Sequence, residues 1–89
     1  MKRYAKQKTL SEIFDVSRST VVARVKEIRE EVLNPQGRYD IYALSGGKVN
    51  TLIFLDWMTW RKYLLDPDMR EKVPPIDMDR LAEMLAASF

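Results

Sequence analysis

The 89-residue sequence contains neither cysteine nor histidine. The lack of cysteine excludes disulfides and thiolate metal sites, and the lack of histidine removes the commonest zinc ligand and the commonest general base. The aspartates at positions 66, 68, 77 and 79 do not match a calcium loop, because prolines interrupt them and the glycine turn is missing. We therefore expect a protein that is not an enzyme and that holds no metal and no cofactor.

Long hydrophobic runs are also missing. No apolar run approaches the ~20 residues that a membrane-spanning helix needs, and residues 1–8 lack the apolar segment of a signal peptide. We expect a cytoplasmic protein with no membrane partner. The length allows one small domain, residues 1–89. A domain of this size buries about two-thirds of its unfolded surface, so we expect modest stability, which is compatible with homo-oligomerisation.

Positive charge is concentrated in the first part of the chain. The net charge is +2, but residues 1–38 hold nine basic and five acidic residues, a balance of +4, and the remainder is acidic by two. Phosphate binding requires such a concentration, because each neutralised phosphate releases counterions. An ordinary solvated surface would give the same pattern.

Residues 9–33 have the pattern of two helices joined by a tight turn. Thr9 or Ser11 is the expected N-cap of the first helix, and Asp15 is expected to end it because aspartate tolerates the left-handed conformation. Ser17 is the expected N-cap of the second helix, which continues to the break at residues 34–37. An apolar stripe at helical spacing predicts the buried face of this second helix, with Val21, Val25, Ile28 and Val32.

The opposite face of the second helix is mostly polar. Ser19, Ala23 and Lys26 point away from the apolar stripe on a helical wheel, Val22 flanks them, and Arg18 is long enough to reach round from the first turn. These positions would face a DNA groove, which makes DNA binding the leading hypothesis. Of the remaining charges, Arg24 and Arg29 are candidates for surface ion pairs with neighbouring glutamates, and this alternative is favoured for Arg29.

Residues 38–55 are predicted to form a two-stranded β-hairpin. Residues 38–44 and 49–55 are rich in aromatic and β-branched residues, and the intervening residues 45–48, Ser-Gly-Gly-Lys, are a turn signal. Asp56 is then the expected N-cap of a helix over residues 56–66, whose tryptophans Trp57 and Trp60 are expected in the core. A stiff connector with Pro74 and Pro75 precedes an amphipathic C-terminal segment, residues 74–89, with Asp77 as its candidate cap. The fold class is therefore α+β, mostly helical.

Two segments carry a family resemblance. Residues 15–21 resemble the turn and recognition-helix start of helix-turn-helix regulators, whose usual pattern has glycine where this chain has Asp15. The hairpin followed by residues 55–60, Leu-Asp-Trp-Met-Thr-Trp, resembles the wing and following helix of small winged helix-turn-helix proteins of the excisionase and MerR-like group. The resemblance implies a winged helix-turn-helix with a two-stranded wing and a C-terminal helix. It also implies that Asp15 points away from DNA.

The resemblance further implies sequence-specific binding of double-stranded DNA through the recognition helix in the major groove and the wing. Arg18 would reach guanine, the hydroxyls near it would contact phosphates or base edges, and the hairpin tip would approach the minor groove or backbone. The implied DNA-binding residues are Ser17, Arg18, Ser19, Thr20, Ala23, Lys26, Gly46, Gly47 and Lys48. Residues 1–8 would form a flexible basic arm with Lys2, Arg3, Lys6 and Lys8. The tip could equally be a plain turn, and the arm could serve solubility alone.

Three roles remain open at this point. The first is an excisionase-like architectural factor that bends DNA for an integrase or recombinase, and the second is a small transcriptional regulator such as a repressor. The third is a winged-helix protein-interaction adaptor without DNA binding, because residues 57–65 and 76–89 carry more apolar side chains than one small core needs. The C-terminal helix could also join two copies of the chain.

Overall fold

The computed structural model describes residues 3–88 and has four helices and a small sheet, which confirms the mostly helical α+β class. Single 3-10 turns occur at Ile41–Ala43 and Arg70–Lys72. Within residues 3–88, none of the helices combines the length and apolar character needed to cross a membrane. The elements in chain order are β1 (Tyr4–Ala5), α1 (Gln7–Phe14), α2 (Arg18–Leu33), β2 (Leu44–Ser45), β3 (Lys48–Asn50), α3 (Thr51–Leu64) and α4 (Met78–Ser88).

The turn between α1 and α2 has the predicted conformation. Asp15 lies in the left-handed region, with φ 52° and ψ 51°, and its N–H donates to the Ser11 carbonyl. Ser17 is the N-cap of α2, because its hydroxyl accepts a hydrogen bond from the Thr20 N–H at 3.2 Å. The predicted cap of α1 is wrong: the helix begins one turn earlier, after Lys6, and Thr9 and Ser11 lie inside it.

The sheet has three antiparallel strands in the order β1-β3-β2, where the sequence predicted two. Tyr4 pairs with Asn50 of β3, and Ala5, which is buried, pairs with Val49. Residues 4–8 are therefore not a flexible arm: the first two form the additional strand, and Gln7 and Lys8 begin α1. Arg3, which precedes β1, is also fixed, because its carbonyl accepts from the Thr51 N–H at 2.9 Å; Lys2 lies outside the described residues.

The hairpin is shorter than predicted, and the helix after it starts earlier. Its strands cover residues 44–45 and 48–50, and α3 begins at Thr51. Asn50 is the N-cap, since its side-chain oxygen accepts from the N–H groups of Leu52 at 3.0 Å and Ile53 at 3.3 Å. Asp56, the predicted cap, is instead a buried residue within α3. The β-branched and aromatic residues of this segment gain more from packing a helix on the core than from extending a strand.

The core lies between α1, α2 and α3. The predicted stripe of α2 is confirmed at Val21, Val25 and Ile28, which are buried, whereas Val32 is partly buried. The Phe14 and Phe54 rings join α1 to α3, with centroids 4.9 Å apart. Together these contacts leave the other side of α2 open to solvent.

The C-terminal helix packs on α3 through buried leucines. Leu81 and Leu85 face the core, and Asp77 caps the helix, because its carboxylate accepts from the Arg80 N–H at 3.1 Å. The helix begins at Met78, directly after this predicted cap, whereas the predicted segment begins at the two prolines, which lie outside the helix. Phe89 lies outside the described residues. Of the two tryptophans, Trp57 is fully buried as predicted and Trp60 is partly buried.

Candidate nucleic-acid interface

Glu27 on the inner side of α2 fixes this helix against α3. Its carboxylate accepts hydrogen bonds from Arg24 at 2.7 Å, from the indole N–H of Trp57 at 3.0 Å, and from two nitrogens of Arg61 at 2.8 Å each. Partial burial opposes ionisation of this carboxyl, but the hydrogen bonds from Arg61, Trp57 and Arg24 outweigh it and lower the pKa of Glu27 to about 2. The orientation of α2 is therefore set by a charged network that spans two helices.

Glu31 makes a second such contact one turn further along α2. Arg70 donates to both carboxylate oxygens of Glu31, at 2.6 and 2.7 Å, and the backbone N–H of Arg38 donates to the same carboxylate at 3.0 Å. Burial raises the pKa of Glu31, yet these hydrogen bonds hold the net value below the ordinary one. Of the two candidate ion pairs on α2, that of Arg24 is confirmed, with Glu27 at 2.7 Å, whereas Arg29, the favoured candidate, is exposed and has no ion pair to any of residues 3–88.

A buried cluster around Asp56 fixes the root of the hairpin. The Asp56 carboxylate accepts two hydrogen bonds from the Arg38 guanidinium, at 2.8 and 3.1 Å, and one from the Tyr39 hydroxyl at 2.6 Å. Arg38 also donates to the carbonyl of Pro74 at 2.8 Å. The chain entering the hairpin is thus tied to α3 and to the proline connector. Desolvation, followed by the charge of Asp56, raises the pKa of Tyr39 far above its ordinary value, so the phenol stays protonated.

The open face of α2 carries four of the nine predicted contacts. Arg18, Ser19, Ala23 and Lys26 are all exposed. Between them lies Val22, whose side chain is 50% exposed. The face therefore combines two cations, a hydroxyl and an apolar side chain within nine residues of helix.

Three hydroxyls cluster at the start of α2. The Ser17 oxygen lies 3.0 Å from the Ser19 hydroxyl oxygen and 2.9 Å from that of Thr20. Thr20 is half-buried, whereas the other two are exposed. Two of the predicted contacts therefore also have a structural role: Ser17 caps the helix that presents Arg18, and Thr20 donates its backbone N–H to the Ser17 hydroxyl.

A basic cleft of about 570 Å³ lies between the starts of α1 and α2 and the hairpin tip. Four of its lining residues are basic, and within residues 3–88 no acidic side chain lines it. The cleft brings Arg18 together with the predicted tip, whereas the other predicted α2 contacts lie outside it. It is lined by Lys6, Gln7, Lys8, Arg18, Ser45, Gly46, Gly47 and Lys48.

The sequence did not place α1 in the site. The positive charge of Lys6 and Lys8 predicts only a flexible arm, and Gln7 carries no sequence signal for the site. They reach the cleft because β1 pairs with β3, which brings the start of α1 beside the hairpin. This arrangement depends on the pairing of Tyr4 with Asn50 and of Ala5 with Val49, far apart in the sequence, and a strand of two residues has no detectable periodicity.

The hairpin tip is open to solvent. Gly46 has φ +61°, and Ser45 pairs with Lys48 across the two-residue turn. A positive φ at the first central position is typical of a type II′ turn, which favours glycine there. A Cβ built on either glycine would meet no heavy atom within 4 Å, so the tip backbone projects into solvent.

Because four basic side chains line the cleft, its charge suits an anion. A larger cavity of about 790 Å³ lies between α3, the proline connector and α4. Asp77 and Asp79 line it, and their negative charge disfavours phosphate. No group of three or more acidic side chains in the described part of the chain is arranged to hold a metal ion.

Compared with protein-family models, with curated proteins and with solved structures, the chain shows no match.

Proposed function

We propose that this protein binds double-stranded DNA sequence-specifically as a winged helix-turn-helix, with α2 in the major groove and the β2–β3 hairpin as the wing. One observation carries the proposal: the basic cleft joins Arg18 at the start of α2 to Lys48 and the two glycines of the tip. Cations from three separate elements converge there beside the open face of α2. Phosphates of a nucleic-acid backbone are anions that such a group of cations would attract.

The dimensions of α2 support this docking. The exposed residues from Arg18 to Lys26 span eight residue steps, or about 12 Å of helix at 1.5 Å per residue. That length covers three to four base-pair steps of about 3.4 Å each, and the major groove, about 12 Å wide, admits one helix. Arg18 would donate to guanine, while Lys6, Lys8 and Lys48 would neutralise phosphates.

We assign the protein the role of an excisionase-like architectural factor that bends DNA for a recombinase. The support is the sequence resemblance of the hairpin and residues 55–60 to the wing and following helix of that group. Circular-permutation gel shifts on the bound site test this role, since a bending factor changes mobility with the position of the site. An undistorted palindromic site bound by a symmetric dimer would identify a transcriptional repressor instead.

The binding itself is tested by selection from random duplex DNA, followed by measurement of Kd on the selected site at several salt concentrations. Each phosphate contact contributes about 0.9 to the slope of log K against log salt, so Lys48→Ala is expected to reduce the slope by about one. Lys62→Ala is the matched control, because this lysine is exposed on α3 away from the cleft.

Two results would contradict the proposal. One is the failure of the selection to enrich any duplex at low salt, and capture of a partner protein through the C-terminal half would then favour the adaptor role. The other is an unchanged slope in Lys48→Ala, or an equal loss of slope in Lys62→Ala, because no loss would then be specific to the wing.

A further inference from the structure

Val22 is an apolar side chain on an otherwise polar surface. Its exposed fraction is 50%, although valine is usually buried. Among the exposed large apolar side chains of residues 3–88, it is the one that lies between Ser17 and Lys26 on α2. Nothing in the core accounts for valine at this position.

The neighbours of Val22 place it in the middle of the surface that would face DNA. Arg18 precedes it by four residues and Lys26 follows it by four, and residues at this spacing share one helix face. Ser19, three residues before it, is also exposed. An apolar group is thus flanked on both sides by cations that would hold the helix against the groove.

We infer that Val22 is a specificity-determining residue that reads the C5-methyl group of a thymine, an inference that rests on the proposed function. In the major groove thymine is the base that presents a methyl group, and apolar side chains recognise it by contact. The helix rise puts Val22 about 6 Å from Arg18 along the axis. With base pairs about 3.4 Å apart, this thymine lies about two base pairs from the base that Arg18 contacts.

Replacement of thymine by deoxyuridine tests the inference, because it removes the methyl group and keeps the Watson–Crick pairing. Each thymine of the selected duplex is replaced in turn, and Kd is measured with the wild-type protein. Replacement of thymine at one position is expected to weaken binding about fourfold, since burial of one methyl group is worth about 0.8 kcal/mol.

The same duplexes are then measured with Val22→Ser. Serine is too short and polar for the methyl contact, and its helix propensity is close to that of valine, so α2 is expected to form. The fourfold effect of deoxyuridine should disappear in this variant. Leu33→Ser is the matched control: it removes an exposed apolar side chain from the far end of α2 and should keep the effect.

The outcomes separate the inference from the proposed function. Binding without any thymine-methyl dependence, or a dependence that persists in Val22→Ser, would overturn the role of Val22 and leave DNA binding intact. A dependence lost equally in Leu33→Ser would also overturn it. Failure to select any duplex would overturn the proposed function and the inference together. Unchanged circular dichroism of both variants shows that they are folded.

Discussion

The substitution Asp56→Asn tests whether Asp56 forms a buried ion pair with Arg38 at the base of the hairpin or acts only as a surface N-cap. The Asp56 side chain is 2% exposed and that of Arg38 is 11% exposed, and three hydrogen bonds of 2.6 to 3.1 Å converge on the carboxylate. Asparagine has nearly the same shape but no charge. The substitution therefore leaves the Arg38 guanidinium without its counterion in a largely buried position.

The expected loss in the free energy of unfolding is about 3–5 kcal/mol, the range found when one partner of a buried ion pair is removed. A surface N-cap would behave differently, because asparagine and aspartate cap helices about equally well. Asp77→Asn is the control for this case: Asp77 is exposed and caps α4, so its substitution should change the free energy by less than about 0.5 kcal/mol.

Urea denaturation at neutral pH measures both substitutions. A chain of 89 residues is expected to have a total stability of about 4–13 kcal/mol, so Asp56→Asn could leave little folded protein. Tyr39→Phe provides a milder measurement, since it removes the 2.6 Å hydrogen bond alone and should cost about 1–3 kcal/mol. A change below about 0.5 kcal/mol in both Asp56→Asn and Tyr39→Phe would refute the buried cluster.

Three further predictions concern the charged network, the break after α2 and base recognition. The pKa of Glu27 is about 2 in the folded state and 4.5 without its partners, so acidification from about pH 5 to 2 should remove about 1–2 kcal/mol of stability after solvent screening. In Glu27→Gln the stability profile should be flatter over this interval, and an unchanged profile would refute the network. Gly37→Ala should cost about 1–3 kcal/mol, because the new Cβ would lie 1.8 Å from the Glu31 carbonyl oxygen, whereas Gly47→Ala meets no atom and should be nearly neutral in thermal unfolding. Arg18→Ala should weaken binding to the selected duplex by about 1–3 kcal/mol in a gel-shift titration and weaken non-specific binding much less; equal losses on both duplexes would contradict a role in base reading.

The sequence predicted those features that short-range chemistry determines. The left-handed Asp15, the cap at Ser17 and the buried stripe of α2 each depend on residues within one or two helical turns, and all three are confirmed. The tip at Gly46 and Gly47 was predicted for the same reason, since a two-residue turn has a local signature.

Features that depend on distant contacts were missed. Residues 51–55 have the composition of a strand, but Asn50 caps them and the core buries them as a helix. Asp56 looked like a cap because the sequence does not show that Arg38 and Tyr39 meet it from 17 or 18 residues away. The contribution of α1 to the cleft was missed because it follows from strand pairing rather than from composition.

The most direct test of DNA binding through the basic cleft is an NMR titration of the labelled protein with the selected duplex. We expect the largest chemical-shift changes in the amides of the exposed face of α2 and of the hairpin tip, with Arg18, Lys26 and Gly46 among them, and smaller changes at the start of α1. The amides of α4 should be unaffected. Shifts confined to α4 and the proline connector, with none in α2 or the tip, would contradict DNA binding through the basic cleft.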